Sequence, residues 1–216
     1  MKLKIDMHVH TTFSKDGYTS PGDLPKIIRM KRLNGVAVTD HDSVISKRFD
    51  LSSLERKGIL IIPGIEVTTN QGHLIGLFVH DDLRPRLTPE ETADEIHGQG
   101  GLVVAPHPYD VLSRGVNPSS LRGYIDAVEV INASSLPFRL STLMAERAAE
   151  RLNLPGLGGS DSHTPDTVGD AYTEVEVSNP YMDEVVKALR RGLTTPQGRS
   201  TSLKNRFKKL SLDLLK

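Results

Sequence analysis

At 216 residues the chain suits one domain in which folding buries roughly 70% of the unfolded surface, so a core forms without covalent staples. Cysteine is absent, which excludes disulfides and thiolate metal sites and leaves imidazole and carboxylate as the ligands a metal would find. The 27 basic and 27 acidic side chains balance, so no strong nucleic-acid signal and no membrane field arises from charge. No apolar run nears the about 20 residues of a membrane span. The N-terminus enters a strand with no signal-type apolar region, so a cytoplasmic protein whose mature chain begins at Met1 is expected.

Apolar, β-branched runs alternate with helical patterns, the mark of repeated βα units and a largely parallel sheet or barrel. The first strand, residues 2–10, ends in His8-Val9-His10. Alternating strand side chains place both imidazoles on one face, about 7 Å apart. A helix is expected around 23–34, with Gly35 placed to end it. Strand 36–39 runs into Asp40-His41, a short helix is expected over 51–57, and strand 59–62 reaches Gly64-Ile65-Glu66. Residues 72–79 read as a fourth strand beginning near His73. Thr88-Pro89-Glu90-Glu91 is a helix start with a Thr cap, Pro at the first position and a Glu that closes a capping box. Strand 102–105 empties into Pro106-His107-Pro108, and strand 127–131 precedes a helix in which Leu140, Leu143, Met144, Ala148 and Leu152 recur at helical spacing. Leu157-Gly158-Gly159 then brings the chain to Ser160-Asp161-Ser162-His163. Strand 172–177 and a helix opened by Asn179-Pro180 complete the pattern. Residues 1–195 are read as the catalytic barrel and 196–216 as a basic tail, carrying Lys204, Arg206, Lys208 and Lys209, that packs on or extends from the same domain.

The chemistry-bearing residues sort to strand ends, where α/β barrels gather their active sites. His8, His10, Asp16, His41, Glu66, His73, His107, Asp161 and His163 include six of the eight histidines in the chain. Nine ligands exceed one tetrahedral site and imply two or three divalent ions. Against the carboxylates of Asp16, Glu66 and Asp161, three such ions leave a net positive charge suited to a phosphate dianion. A metal lowers the pKa of bound water to about 7, which makes hydroxide available at neutral pH. Adjacent residues face opposite ways in a strand, so His41 is assigned to the metal and Asp40 to orienting an imidazole. Asp40, His41, Glu66 and Asp161 are expected to carry catalysis. The chain contains no Walker loop, GxGxxG or GxSxG.

These motifs resemble the PHP (polymerase and histidinol phosphatase) domain, over roughly residues 3–195. The resemblance rests on His8-Val9-His10-Thr11, Asp16-Gly17, Thr39-Asp40-His41, Gly64-Ile65-Glu66, His73, His107-Pro108 and Gly159-Ser160-Asp161-Ser162-His163. It implies a distorted seven-stranded (β/α)7 barrel of the α/β class, with a trinuclear site of zinc, manganese or iron and phosphoesterase activity. All nine metal-ligand positions look filled, with Asp16 where some relatives carry His. Only 53 residues separate His107 from Asp161, so the capping insertion of longer nucleotide-cleaving relatives looks absent.

Outside the metal set, Arg114 and Arg139 could hold a substrate phosphate, and the Asn132 amide could bind substrate or tie down a loop. The leading expectation is a phosphomonoesterase acting on a small phosphorylated metabolite or nucleotide. The alternative is a phosphodiesterase or short-oligonucleotide nuclease using the same metals. An amidohydrolase, which also begins with HxH, and a non-catalytic scaffold are weaker fits. The sequence leaves the oligomeric state open.

Overall fold

The structure is a computed structural model describing residues 1–51 and 58–216; the helix expected over 51–57 lies, from residue 52 on, outside those described. Among the described residues, β1 (Lys2–Val9), β2 (Gly35–Val38), β3 (Leu60–Thr68), β4 (His73–Leu77), β5 (Leu102–Ala105), β6 (Ala127–Asn132), β7 (Gly156–Gly159), β8 (Ala171–Glu176) and β9 (Thr194–Gly198) form one sheet. Their order is β7-β6-β5-β4-β3-β2-β1-β8-β9. The helices are α1 (Leu24–Met30), α2 (Pro89–Gly98), α3 (Phe138–Leu152), α4 (Met182–Arg190) and α5 (Leu203–Leu214).

The sheet curls into a nearly closed barrel. Gly158 N donates to Thr173 Oγ1 at 2.8 Å, Thr194 Oγ1 donates to Gly156 O at 3.1 Å, and His10 N donates to Ser162 O at 2.8 Å. These bonds bring β7 against β8, β9 and the end of β1. The α/β barrel expected from the sequence is present, with nine strands instead of seven. The two extra strands come from Gly156–Gly159, whose glycines carry no strand propensity, and from Thr194–Gly198, which straddles the boundary drawn between barrel and tail. The sheet is also more mixed than the βα alternation suggests: β3–β4, β4–β5, β1–β8 and β8–β9 are antiparallel.

Alternation builds the layers. Leu3, Ile5 and Met7 of β1 join Ala37, Ile62, Ile75, Leu77, Val104, Leu157 and Val175 in one cluster, against which α4 lays Val185, Ala188 and Leu189. The opposite strand faces carry Val36, Val38 and Ile61 toward α1, and Ile65, Val67, Val103 and Val128 among Ala93, Ile96, Ala145 and Ala149 of α2 and α3. Each fully buried Ile or Leu contributes roughly 1.5–3 kcal/mol, so the barrel has an apolar core apart from the polar site. The capping box at α2 forms as expected, with Glu91 N donating to Thr88 Oγ1 and Thr88 N to Glu91 Oε2.

Two irregularities aim the polar end. The β1–β2 register shifts between Asp6 and Val9, and such a bulge reverses the alternation. Ile5 and Met7 therefore face the barrel interior, and so do His8 and His10, while Val9 joins the outer layer beside α1. In β6 a second shift between Glu129 and Ile131 brings both Glu129 and Asn132 to the site end. Because β4 runs antiparallel to β3, its first residue, His73, lies across from Thr68, at the end of the barrel where β3 presents Glu66.

Candidate metal centre

Glu66 sits at the centre, 1% exposed. Its Oε1 lies 2.9 Å from His107 Nε2 and 3.0 Å from His73 Nδ1. Its Oε2 lies 3.2 Å from His10 Nε2, 3.3 Å from His41 Nδ1 and 3.4 Å from His8 Nε2. Asp161 Oδ1 stands 3.4 Å from His10 Nε2 and 3.6 Å from both His8 Nε2 and His163 Nδ1. Asp16 Oδ2 meets His163 Nε2 at 3.0 Å. All nine residues expected as ligands thus converge, with His8, His10 and His107 buried and His41, His73 and His163 open to a cavity of about 550 Å³.

The backbone is held in unusual conformations here. His107 and Asp161 have φ of 29° and 52°, in the left-handed region that non-glycine residues seldom adopt. Asp161 follows Ser160, which Asp6 grips: Asp6 accepts from Ser160 N at 2.8 Å, Ser160 Oγ at 2.6 Å, Gly169 N at 2.8 Å and His8 N at 3.2 Å. Burial pushes the Asp6 pKa up to about 6, yet every partner is a donor, which suits the ionised carboxylate. Gly159 lets β7 approach β1, since a Cβ there would lie 2.5 Å from His8 Cβ and 2.5 Å from Glu129 Oε1. Gly159→Ala is expected to cost about 1–3 kcal/mol through overpacking, read as a lowered melting temperature. An unchanged melt would show that the two strands can separate freely.

The donor set fits cations. With metal–ligand bonds of about 2.0–2.2 Å, two ligands on one tetrahedral ion stand roughly 3.3–3.6 Å apart. The 3.2–3.6 Å spacings around Glu66 Oε2 and Asp161 Oδ1 match that. His8 Nε2 and His10 Nε2 face each other at 3.1 Å, an arrangement suited to a shared cation. Among the described residues, His73 Nδ1 is buried and makes no hydrogen bond despite its closeness to Glu66, and Asp16 Oδ1 is likewise buried without a partner. Four triads have ligand atoms close enough for one ion: His8–His10–Glu66, His8–His107–Asp161, His41–Glu66–His73 and His10–His41–His163.

Electrostatics agree. Burial alone would raise the Glu66 pKa, but His8, His10, His107 and His73 outweigh it and hold it well below the carboxylate range. Asp161 is held low in the same way by His8, His10, His163 and His107. His10, which burial would lower, is drawn up to about 9 by Asp161 and Glu66. His41 is lowered by burial.

Several expectations are corrected. Among the described residues Asp40 touches no imidazole directly. It accepts from Thr11 N at 2.7 Å, Thr11 Oγ1 at 2.6 Å and Ser14 Oγ at 2.7 Å, and Ser14 Oγ in turn meets His10 Nδ1 at 3.1 Å and accepts from His41 N at 3.0 Å. Asp40 thus fixes the loop that orients His10. Asn132 has no group left for substrate: its amide donates to Glu129 and Asp161, and its oxygen accepts from Ser134 N and Ser135 N. Arg139 is exposed on the first turn of α3 and does not line the cavity, whereas Arg114 does.

Glu129 escaped the sequence reading, although a lone charge inside Ala127-Val128-Glu129-Val130-Ile131 was a visible signal. It is 3% exposed and accepts from His107 N at 2.8 Å; its Oε1 lies 3.0 Å from His8 Nδ1. With Nδ1 donating to that carboxylate, His8 turns its Nε2 lone pair toward the site. Glu129→Gln is expected to weaken metal affinity or activity about 10- to 100-fold, and a metal titration within twofold of wild type would refute that role. Arg206 and Lys209, in the stretch read as a tail, line the cavity as well.

Comparison with known proteins is consistent with this geometry. The PHP domain profile matches residues 6–125 and a PHP-associated profile matches 141–194. Uncharacterized protein MJ1587 of Methanocaldococcus jannaschii is 34% identical over 142 residues, 61% of this chain and 82% of that protein. A 5'-3' exoribonuclease of Haemophilus influenzae is 34% identical over 123 residues, 51% of this chain and 44% of that enzyme. Endonuclease Q, solved with a 27-mer duplex substrate carrying an abasic lesion, superposes with a TM-score of 0.67 at 19% identity, over 91% of this chain and 58% of that one. The expectation of a small phosphorylated partner without nucleic acid is therefore overturned. Total charge is the wrong measure, because a balanced sum hides a local feature: Arg114, Arg206 and Lys209 all line the cavity. With more than half its length matched by the domain profile, the chain belongs to the PHP domain family of metal-dependent phosphoesterases.

Proposed function

We propose that this hydrolase is a phosphodiesterase that cuts short or single-stranded nucleic acid with divalent cations. One observation carries the reading: both oxygens of a buried carboxylate, Glu66, are shared among five imidazoles at the floor of a cavity whose wall carries Arg114, Arg206 and Lys209. His8, His10, Asp16, His41, Glu66, His73, His107, Asp161 and His163 would hold two or three ions of zinc, manganese or iron. When bound, such ions would offset the charge of the phosphate and supply a water acidic enough to attack near neutral pH. The relative named as an exoribonuclease supports the substrate class.

The chain's own side chains prepare that chemistry. Glu129 sets the His8 tautomer, and Asp40 acts through Ser14 on His10. Asp6 and Asn132 hold the strained segment that presents Asp161. Arg114, whose guanidinium has no partner among the described residues, can meet a phosphate oxygen as a forked donor. A cavity of about 550 Å³ is the size that encloses a drug-sized ligand, comparable to a nucleotide, so one nucleotide at a strand end fits.

The test is hydrolysis of thymidine 5'-p-nitrophenyl phosphate and of a tetranucleotide, with manganese or zinc present. Release of nitrophenol and mononucleotides is expected; an enzyme that hydrolyses neither diester would overturn the assignment.

A further inference from the structure

Helix α5 lies beyond residue 194, outside both stretches matched to the family. It buries no residue fully, and Leu203, Phe207, Leu210 and Leu214 all face solvent. Its inward side is mainly polar. Arg206 Nη1 donates to Ser134 O at 2.8 Å, Nη2 to Ala133 O at 3.1 Å and Ser200 Oγ at 3.2 Å, and Nε to Thr201 O at 3.1 Å. Lys208 pairs with Asp166, and Tyr18 donates to Asp213 at 3.0 Å. These contacts strap the helix across the loops that carry Asp16 and His163.

The strap has a consequence for the cavity, whose wall includes Asn205, Arg206 and Lys209. Lys209 Nζ lies 4.0 Å from Asp16 Oδ2, the same oxygen that His163 Nε2 meets at 3.0 Å. One carboxylate oxygen thus separates the ammonium from the ligand cluster. Lys209 also donates to Asp213 Oδ2 at 2.7 Å, and an ammonium with three N–H groups keeps a donor for a ligand. Arg206 engages four of its five donors internally, so it acts as the anchor, and among the described residues it forms no ion pair with a carboxylate.

We propose that Lys209, with Asn205 beside it, binds a second, non-scissile phosphate of the nucleic acid strand. This makes α5 the element that selects a strand over an ester bearing a single phosphate. The inference rests on the phosphodiesterase reading for its substrate, and its test separates the two. Lys209→Ala, Lys209→Arg and, as a control on the exposed side of the same helix, Lys204→Ala are compared on the tetranucleotide and on thymidine 5'-p-nitrophenyl phosphate. Binding of the labelled tetranucleotide is followed by fluorescence anisotropy.

Lys209→Ala is expected to raise KM for the tetranucleotide about tenfold, the scale of one charge-assisted hydrogen bond, and severalfold more than it raises KM for the single-phosphate ester. The slope of log affinity against log salt should shrink by about 0.7, the loss of one single-strand phosphate contact. Lys209→Arg should recover much of the binding and Lys204→Ala should match wild type. Equal losses on both esters, no loss on either, or a wild-type protein that fails to bind the tetranucleotide would overturn the subsite. Weakened binding in Lys209→Ala beside a wild type that cleaves neither ester would retain the subsite and remove the phosphodiesterase reading.

Discussion

Glu66→Gln is expected to lower the rate of phosphodiester hydrolysis at least about 10³-fold while leaving the barrel folded. Glu66 Oε1 and Oε2 both face imidazole nitrogens at 2.9–3.4 Å. An amide of the same shape turns one acceptor into an N–H donor, which cannot ligate a cation, and removes the charge that balances the ions. Losing one preorganised electrostatic contact commonly costs 10²–10³ in rate, and Glu66 joins two of the candidate ion triads at once. The backbone of β3 stays paired on both sides through residues that do not involve the carboxylate, and the apolar clusters are untouched, so circular dichroism should match wild type. A variant that keeps more than a tenth of the rate would show that Glu66 does not hold the reactive ions.

Chelation should abolish activity and lower the melting temperature together. Ligands that bind only the folded state stabilise it by about 4 kcal/mol at a thousandfold excess over Kd, which for a chain of this length corresponds to roughly 8–16 °C. Manganese or zinc should restore both. With cations removed, protons take their place: Asp161 and Glu66 draw the His10 pKa from 6.5 to about 9. A histidine raised on folding contributes stability that is complete below its unfolded pKa and disappears as pH rises through the folded value. The chelated protein should therefore melt lower at pH 9 than at pH 6, a loss the metal-loaded protein should not share. Identical melts with and without chelator, in a protein whose activity also ignores chelation, would contradict the cation assignment.

The barrel class and the nine converging side chains could be read from the sequence because both follow from short-range pattern. Alternation in Leu3-Lys4-Ile5-Asp6-Met7 declares a strand, and His-x-His at its end declares a shared face. Other features depend on tertiary context. The bulge between Asp6 and Val9 has no local signature, yet without it His8 would share the outer face with Asp6. Gly158 and Gly159 declare no strand because glycine lacks strand propensity, and they become β7 because only glycine fits against Tyr172 and His8. Asp40 is expected to orient an imidazole, but it acts only through Thr11 and Ser14, which come from a loop 26–29 residues away in sequence. The tail's basic residues were visible, but nothing local tells that α5 turns Arg206 and Lys209 toward the site instead of solvent. That also explains why a balanced total charge gave the wrong expectation about nucleic acid.

The central claim is that separate segments of the chain bring imidazoles and carboxylates around shared cations, and anomalous diffraction from crystals of the manganese- or zinc-loaded protein tests it most directly. Two or three peaks are expected between Glu66 and Asp161, each within bonding distance of the surrounding histidines. A map with no peak there, from protein shown to be active, would contradict it.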